Sequence, residues 1–434
     1  MRFQSSLDQV RLTRNFFSTP DHYQASVKFV RGMMDPNNKT RLDASRAAMQ
    51  AIQTGEIPQL PETPIMGNHY HSVFSWGPGY RMYPSLIAFL SKVNGAVVTG
   101  LVDHYSMKGA EEFSRSCRAF ELPYTRGFEI RAWIRESFIV NGADGSQYDL
   151  SNMVINSPGN PGEVYIVFHS VGQGLRSEEM FLGGSRFQKS ARYLQVADLL
   201  NAQLRRIGIS AELDGNQLMS SSMYGNVLDK HVTGHLFDVL FDHFSGLGRE
   251  FDQATDNIVD CVMNMAGKDI SASERSKLAQ ARTIADDQDR EYAVFTAVMD
   301  IMRTNLLRVG TPGFVMPSPA ECPNLSDLSR IAALDGSVLT YPILLRSAGG
   351  SEDPYLSSFV DRLSSDYGFS AVSWMPNRNT PEESIAISAL AKSHGVKALS
   401  GMDVNRYLQR WAEPASADNA LIRSALGLVA LEQN

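Results

Sequence analysis

From Thr63 onward the chain repeats short apolar runs, among them GAVVTGLVDH, EVYIVFHS, SVLTYPILL, FSAVSWMP and VKALSGMD, with stretches of helical texture between them. Runs of this length read as buried strands, and strands that alternate with helices are joined by crossovers that leave them parallel. That rhythm narrows the fold to an α/β barrel or a doubly wound sheet.

Two regions break the rhythm. Residues 1–60 are polar and Ala-rich, look helical around Asp43 to Thr54, and end at the proline punctuation of IPQLPETP. They read as an N-terminal helical extension. Between 181 and 310, Leu194, Ala197, Leu200, Leu204 and Ile207 recur at helical spacing, as do Phe295, Val298, Met299, Met302 and Leu306. This reads as a mostly helical insertion that caps a barrel assembled from 61–180 and 311–434. Ser271 and Glu274 have the spacing of a capping box, and Thr380-Pro381-Glu382-Glu383 supplies an N-cap, a first-turn proline and a capping Glu for a helix to about His394.

Composition limits the partners. At 434 residues and 43% hydrophobic content the chain can bury a large core, and its net charge of -7 comes from interspersed charges with no basic stripe. Nucleic acid and anionic membrane are therefore not expected as partners. Cys117, Cys261 and Cys322 are odd in number and far apart, which argues against a disulfide framework and for a reducing, cytoplasmic setting. No signal-peptide core and no membrane-spanning apolar run is evident.

The chemistry gathers at the ends of the apolar runs. Asp103 and His104 close one run, Glu129 lies in GFEIRA, His169 ends EVYIVFH, and Asp403 follows KALSGM, while GNHYHS carries His69 and His71. In a parallel barrel the carboxyl ends of the strands form one rim, so distant residues converge there. A His-x-His pair on a strand faces one side and can reach one ion. Each feature also has a bland reading: His-x-His arises by chance, Asp-His caps turns, and Glu129 can pair with Arg126 or Arg131. Their joint occurrence at several strand ends favours a metal site. Imidazole and carboxylate donors suit zinc, manganese or iron alike.

These residues also carry a family resemblance. HYHSVFSWG, GLVDHYSMKGAEEF, GFEIRA, VYIVFH, DKHVTGHLFDVL and NTPEESIAISALAKSHGVKALSGMDVN resemble, in order, motifs of the PHP (polymerase and histidinol phosphatase) family. The resemblance implies a distorted (β/α)7 TIM-like barrel with a metal cluster at its carboxyl rim and hydrolysis of phosphate esters. Carried over by position, it implies that His69, His71, Glu129 and Asp403 form a first metal site. It further implies that His104 belongs to a second site and His169, with Glu129, to a third. Three ligand positions depart from the pattern, at Trp76, Tyr341 and Asn405. One divalent ion is thus expected, with two allowed.

The functional expectation is a metal-dependent phosphoesterase acting on a small molecule through a metal-activated water, with His104 or His169 as general acid or base. Arg81, Lys108, Arg131 and Arg378 are candidate phosphate clamps, His235 a pocket residue, and Tyr341 and Asn405 candidate substrate contacts. His231 shares the helical spacing of His235, whereas His22 and His394 look structural. Two alternatives stay open: a degenerate barrel that binds a ligand or partner around a structural metal or none, and a single-metal hydrolase of a non-phosphate bond.

Overall fold

The computed structural model describes residues 8–76, 80–157, 159–169, 176–248, 250–345, 354–376, 378–404, 406–409, 411 and 429. They group into two compact units, one of Thr13–Ser75, Arg81–Ser185 and Cys322–Asn434, the other of Met1–Leu12, Trp76–Tyr80 and Arg186–Glu321.

The first unit begins with helices α1 (Pro20–Met33) and α2 (Asn38–Gln53). Strand β1 (Thr63–Tyr70), helix α3 (Pro84–Val93), β2 (Ala96–His104), helix α4 (Ala110–Ala119) and β3 (Tyr124–Trp133) follow as the expected alternation. Every residue of α3 except Lys92 is buried, which a helix on the outside of a bare barrel would not show. The covering layer is α2, and it is anchored through charge. Arg41 of α2 donates from Nε and Nη2 to the two carboxylate oxygens of Glu112 on α4, at 2.8 and 2.5 Å, while its guanidinium stacks 4.0 Å from the Tyr83 ring. Glu112 also accepts from the backbone N–H and hydroxyl of Ser85, and Arg41 Nη1 donates to the carbonyls of Asp35 and Pro36. The N-terminal helices are thereby part of the same compact unit as the barrel.

After a small hairpin, β4 (Ile139–Asn141) and β5 (Gln147–Asp149), the chain enters β6 (Glu163–His169). The second unit then holds most of α5 (Arg176–Arg206), with α6 (Asp229–Ser245), α7 (Phe251–Ala266), α8 (Ala272–Arg282) and α9 (Asp287–Leu306). Its helices meet through aromatic packing, with Phe237 edge-on to Phe295 at 4.8 Å, and Ser271 and Glu274 form the expected capping box at the start of α8. His231 completes another cap, its Nδ1 accepting from the Leu228 N–H at 3.0 Å.

The chain returns to the first unit through α10 (Leu325–Asp335), β7 (Val338–Pro342), α11 (Leu356–Tyr367), β8 (Ala371–Trp374), α12 (Pro381–Ser393) and β9 (Lys397–Ser400). Thr380 and Glu383 form the capping box at the start of α12. The strands make one sheet in the order β1-β2-β3-β6-β7-β8-β9, and β1 approaches β9, so the sheet curls into a nearly closed, distorted TIM-like barrel. Among the described residues, no helix is long and apolar enough to cross a membrane.

One strand runs against expectation. β6 pairs antiparallel with both β3 and β7, whereas the other neighbouring pairs are parallel. The carboxyl end of β6 therefore lies beside the beginning of β7, with His169 opposite Val338. Register also fixes which side chains face inward. Glu129 pairs with Val167, Val167 with Thr340, and Thr340 with Ala371, so these share the inner face together with His169, Val338 and Ser373 two residues along their strands. Phe128 and Phe168 stack at 4.4 Å on the outer face, as their alternate positions require.

A buried ion pair loses far more when one partner is removed than when both are replaced by apolar groups. Arg41→Ala is expected to destabilise the barrel unit by about 3–5 kcal/mol, read as a lowered denaturation midpoint. The double change Arg41→Met, Glu112→Leu is expected to recover most of that loss. Equal losses in the single and double variants would contradict this account.

Candidate metal centre at the barrel mouth

Three imidazoles and two carboxylates converge at the carboxyl end of the parallel strands. His69 comes from the end of β1 and His71 follows it, His104 ends β2 directly opposite Glu129 of β3, and Asp403 follows β9. His69 Nε2 lies 2.7 Å from Glu129 Oε2, and His104 Nδ1 lies 3.3 Å from Glu129 Oε1. His71 Nε2 stands 3.8 Å from both Glu129 Oε2 and Asp403 Oδ1, and its ring stacks on His104 at 4.3 Å. Two overlapping sets, His69/His71/Asp403 and His71/His104/Glu129, bring one donor atom from each residue within 4.8 Å of the others.

Those separations fit a shared ion. A spacing of 3.8 Å is too long for a hydrogen bond but suits two donors that each reach an ion at roughly 2.0–2.2 Å. The electrostatics agree. Burial alone would raise the Glu129 carboxyl, yet His104 and His69 outweigh it and hold the group well below its ordinary value. Burial alone would lower His69, and Glu129 and then Asp403 reverse this and raise it. The two carboxylates thus favour positive charge among the three imidazoles, and the mixed nitrogen and oxygen donors suit a borderline divalent ion.

The loop that carries His71 is pinned by Asp103, whose role in the Asp-His dipeptide the sequence did not disclose. Asp103 accepts from the Ser72 N–H and hydroxyl at 2.6 Å each and from the Ser75 hydroxyl at 2.7 Å, and Ser75 Oγ accepts the His104 N–H. Burial pushes the Asp103 carboxyl up to about 6, against the pull of those serine hydrogen bonds. The Ser that follows His-x-His was the available signal. Next to His104, Tyr105 adopts a left-handed φ of 53°, with its N–H donating to the Glu129 carbonyl and its hydroxyl accepting the Arg131 N–H.

Of the expected phosphate clamps, two reach this region. Arg378 forms an ion pair with Asp403 Oδ2. Arg131, two residues beyond Glu129 on the same strand face, donates to the Tyr165 hydroxyl from Nε and Nη2 and pairs with Glu163 at 3.2 Å. Tyr165 was not singled out from sequence, and its ring lies 6.3 Å from that of His104. Arg81 and Lys108 are exposed in loops.

Other expectations fare differently. His169 does not stand at the rim, because β6 is reversed. It pairs with Gly127, two residues below Glu129, is fully buried, and has its imidazole pushed down to about 3 by burial and then by His69. Tyr341 alternates with the inward Thr340, so it faces the helices, its ring edge-on to Phe359 of α11 at 5.1 Å. It packs the outer layer and is not placed to contact a substrate inside the barrel. Asn405 and the side chain of Trp76 lie outside the described residues. His235 belongs to α6 of the helical unit, where its Nε2 accepts the Asp214 N–H at 3.3 Å. His22 packs edge-on to Phe17, and His394 C-caps α12.

The barrel interior carries a further set of polar atoms. Asn68 Oδ1 and Nδ2, Thr125 Oγ1, both nitrogens of His169, Thr340 Oγ1 and Ser373 Oγ are buried without a hydrogen-bond partner among the described residues. At about 1–3 kcal/mol for each unsatisfied atom, the set would offset much or all of the roughly 5–15 kcal/mol by which a domain is stable.

No family profile and no curated protein matches the chain. Among solved structures, it is similar to an amidohydrolase from Chromobacterium violaceum with bound sulfate and no metal, at 16% identity over 78% of this chain and 86% of that one, with a TM-score of 0.47. It is also similar to a protein described as a metal-dependent phosphoesterase from Bifidobacterium adolescentis, at 13% identity over 85% and 98%, with a TM-score of 0.49. At these levels neither likeness bears on activity.

A proton held on His69 by its carboxylate neighbours must leave before that nitrogen can coordinate an ion. Because the His69 value is raised above 6.5, metal affinity is expected to climb as pH rises through neutrality, with net proton release on binding. Calorimetry at pH 7 in buffers of differing ionisation enthalpy would show it, and proton uptake would contradict it. Asp103→Ala, which frees the loop bearing His71, is expected to lower metal affinity about 10–100-fold, read by chelator competition.

Proposed function

We propose that this chain is a metal-dependent hydrolase, and that its substrate is a small phosphorylated molecule. The observation that carries the reading is the convergence of His69, His71, His104, Glu129 and Asp403, from four separate strands, into two overlapping donor sets that share His71. A barrel kept only as a scaffold gains nothing by burying two carboxylates against three imidazoles, since each buried charge costs free energy unless it is paired.

His69, His71, Glu129 and Asp403 would hold the ion. What a divalent ion supplies in such a site is Lewis-acid polarisation of an electrophile and acidification of water towards neutrality. The residues provide the rest. Glu129 holds the His104 ring through Oε1, and its Oε2 holds the His69 ring until an ion takes the place of the His69 proton. His104 is the most exposed of the three imidazoles, at 15%, and exchanges a proton with the reacting groups at Nε2, the nitrogen turned from Glu129. Arg131, held by Tyr165 beside His104, and Arg378, held by Asp403, give the mouth fixed positive charge suited to an anionic ester.

A second reading, hydrolysis of an uncharged bond by a single ion, draws on the same arginines. Both guanidiniums are engaged by anions or a phenol of the protein itself, which reduces the charge offered to a phosphate.

Metal analysis by inductively coupled plasma mass spectrometry on protein purified without chelator decides the class. About one equivalent of a transition metal is expected, and it is expected to vanish in the His69→Ala, His71→Ala double variant. Protein that stays metal-free after incubation with zinc, manganese and iron would instead belong with ligand-binding barrels. For the loaded enzyme, a panel of phosphomonoesters, phosphodiesters and amides separates the two hydrolase readings. His104→Ala is expected to retain metal and lose roughly 10²–10⁴ in kcat.

A further inference from the structure

TIM-type barrels ordinarily fill their interior with layers of branched apolar side chains. This barrel does so only in part. Val338, Ala371 and Leu399 make an apolar cluster, and the register puts Thr340 and Ser373 on the same inner face, two residues along from Val338 and Ala371. His169 lies opposite Val338 on that face, so it is a diagonal neighbour of Thr340. On the other side of the interior, two glycines make room for an amide. A Cβ on Gly401 would stand 2.2 Å from Asn68 Oδ1 and 2.8 Å from His69 Cβ, and one on Gly100 would stand 2.5 Å from Thr125 Oγ1 and 3.1 Å from Asn68 Cβ. Asn68 and Thr125 therefore close around Gly100, while Asn68 and the adjacent His69 both lie against Gly401.

These five side chains are each at least 98% buried, and their polar atoms have no partner among the described residues. Left without partners, these atoms would offset much or all of the stability of a domain. An apolar cavity stays dry, whereas a polar one takes water that makes about three hydrogen bonds per molecule. We propose that the inside of the barrel is a hydrated chamber, in which Asn68, Thr125, His169, Thr340 and Ser373 bind ordered water beneath the imidazole and carboxylate cluster.

The chamber adjoins the cluster through His69 but does not depend on the metal. Its water satisfies His169 as a neutral imidazole and supports the His69 end of β1 from below. It also explains why serine, threonine and asparagine stand where a barrel of this kind would carry valine and leucine.

The test counts long-lived internal water by oxygen-17 magnetic relaxation dispersion on the full chain, before and after chelation. Several such molecules are expected, and they are expected to survive chelation, which separates this result from the metal analysis. In the variant Thr340→Val, Ser373→Ala the count falls by at least one, and the thermal midpoint falls by about 1–3 °C because the remaining chamber groups lose partners. An unchanged count, or a midpoint that rises because unsatisfied hydroxyls have been removed, would overturn the proposal. Should the double variant fail to accumulate, Ser373→Ala alone, which deletes one oxygen, gives the same reading.

Discussion

Glu129 is the residue around which the barrel mouth is organised. Its strand places it in register with His104, and its carboxylate reaches His69 from the neighbouring edge of the cluster. A carboxylate this buried would hold a proton unless cationic partners surrounded it. The strand registers of β1, β2 and β3 therefore matter chemically, since a slip of one residue would turn Glu129 to the outer face and leave the imidazoles without their common anion.

Support for this point comes from behind as well as from the sides. Asp103 points away from the interior, yet it fixes the turn that delivers His71, and the strained backbone at Tyr105 follows directly after His104. Residues in the left-handed region persist only where the surroundings hold them, and here the Tyr105 N–H and hydroxyl are both tied to β3. The N-terminal helices add to the same framework, because α2 covers α3 and is bonded to α4 by a buried ion pair. The mouth is thus assembled on elements whose positions are over-determined.

Much of this was legible in the sequence. Strand and helix alternation gave the architecture, the capping signals at Thr380 and Ser271 located helix starts, and ligand-type side chains at strand ends pointed to the rim. What escaped had a common cause. Periodicity reports which residues share a face of a strand, but it reports neither the direction of the strand nor which face is inside. Hence His169 was expected at the rim, although β6 is reversed, and Tyr341 was expected at the substrate, although alternation turns it to Phe359. Long-range charge pairing is equally invisible in one dimension, so Arg378 could be placed near the rim but not on Asp403.

The reversal of β6 has a consequence for how the chain is strung. Antiparallel neighbours need no crossover from one end of the sheet to the other. The residue that ends β6 and the residue that begins β7 face each other as the pair His169 and Val338, so the long segment between them is joined to the sheet at two adjacent points. The barrel's hydrogen-bonded ladder is complete across that junction. The entropy of closing such a loop grows only with the logarithm of its length, at about 0.6 kcal/mol per doubling. A segment of almost any size could therefore be accommodated there without changing the register on which Glu129 depends.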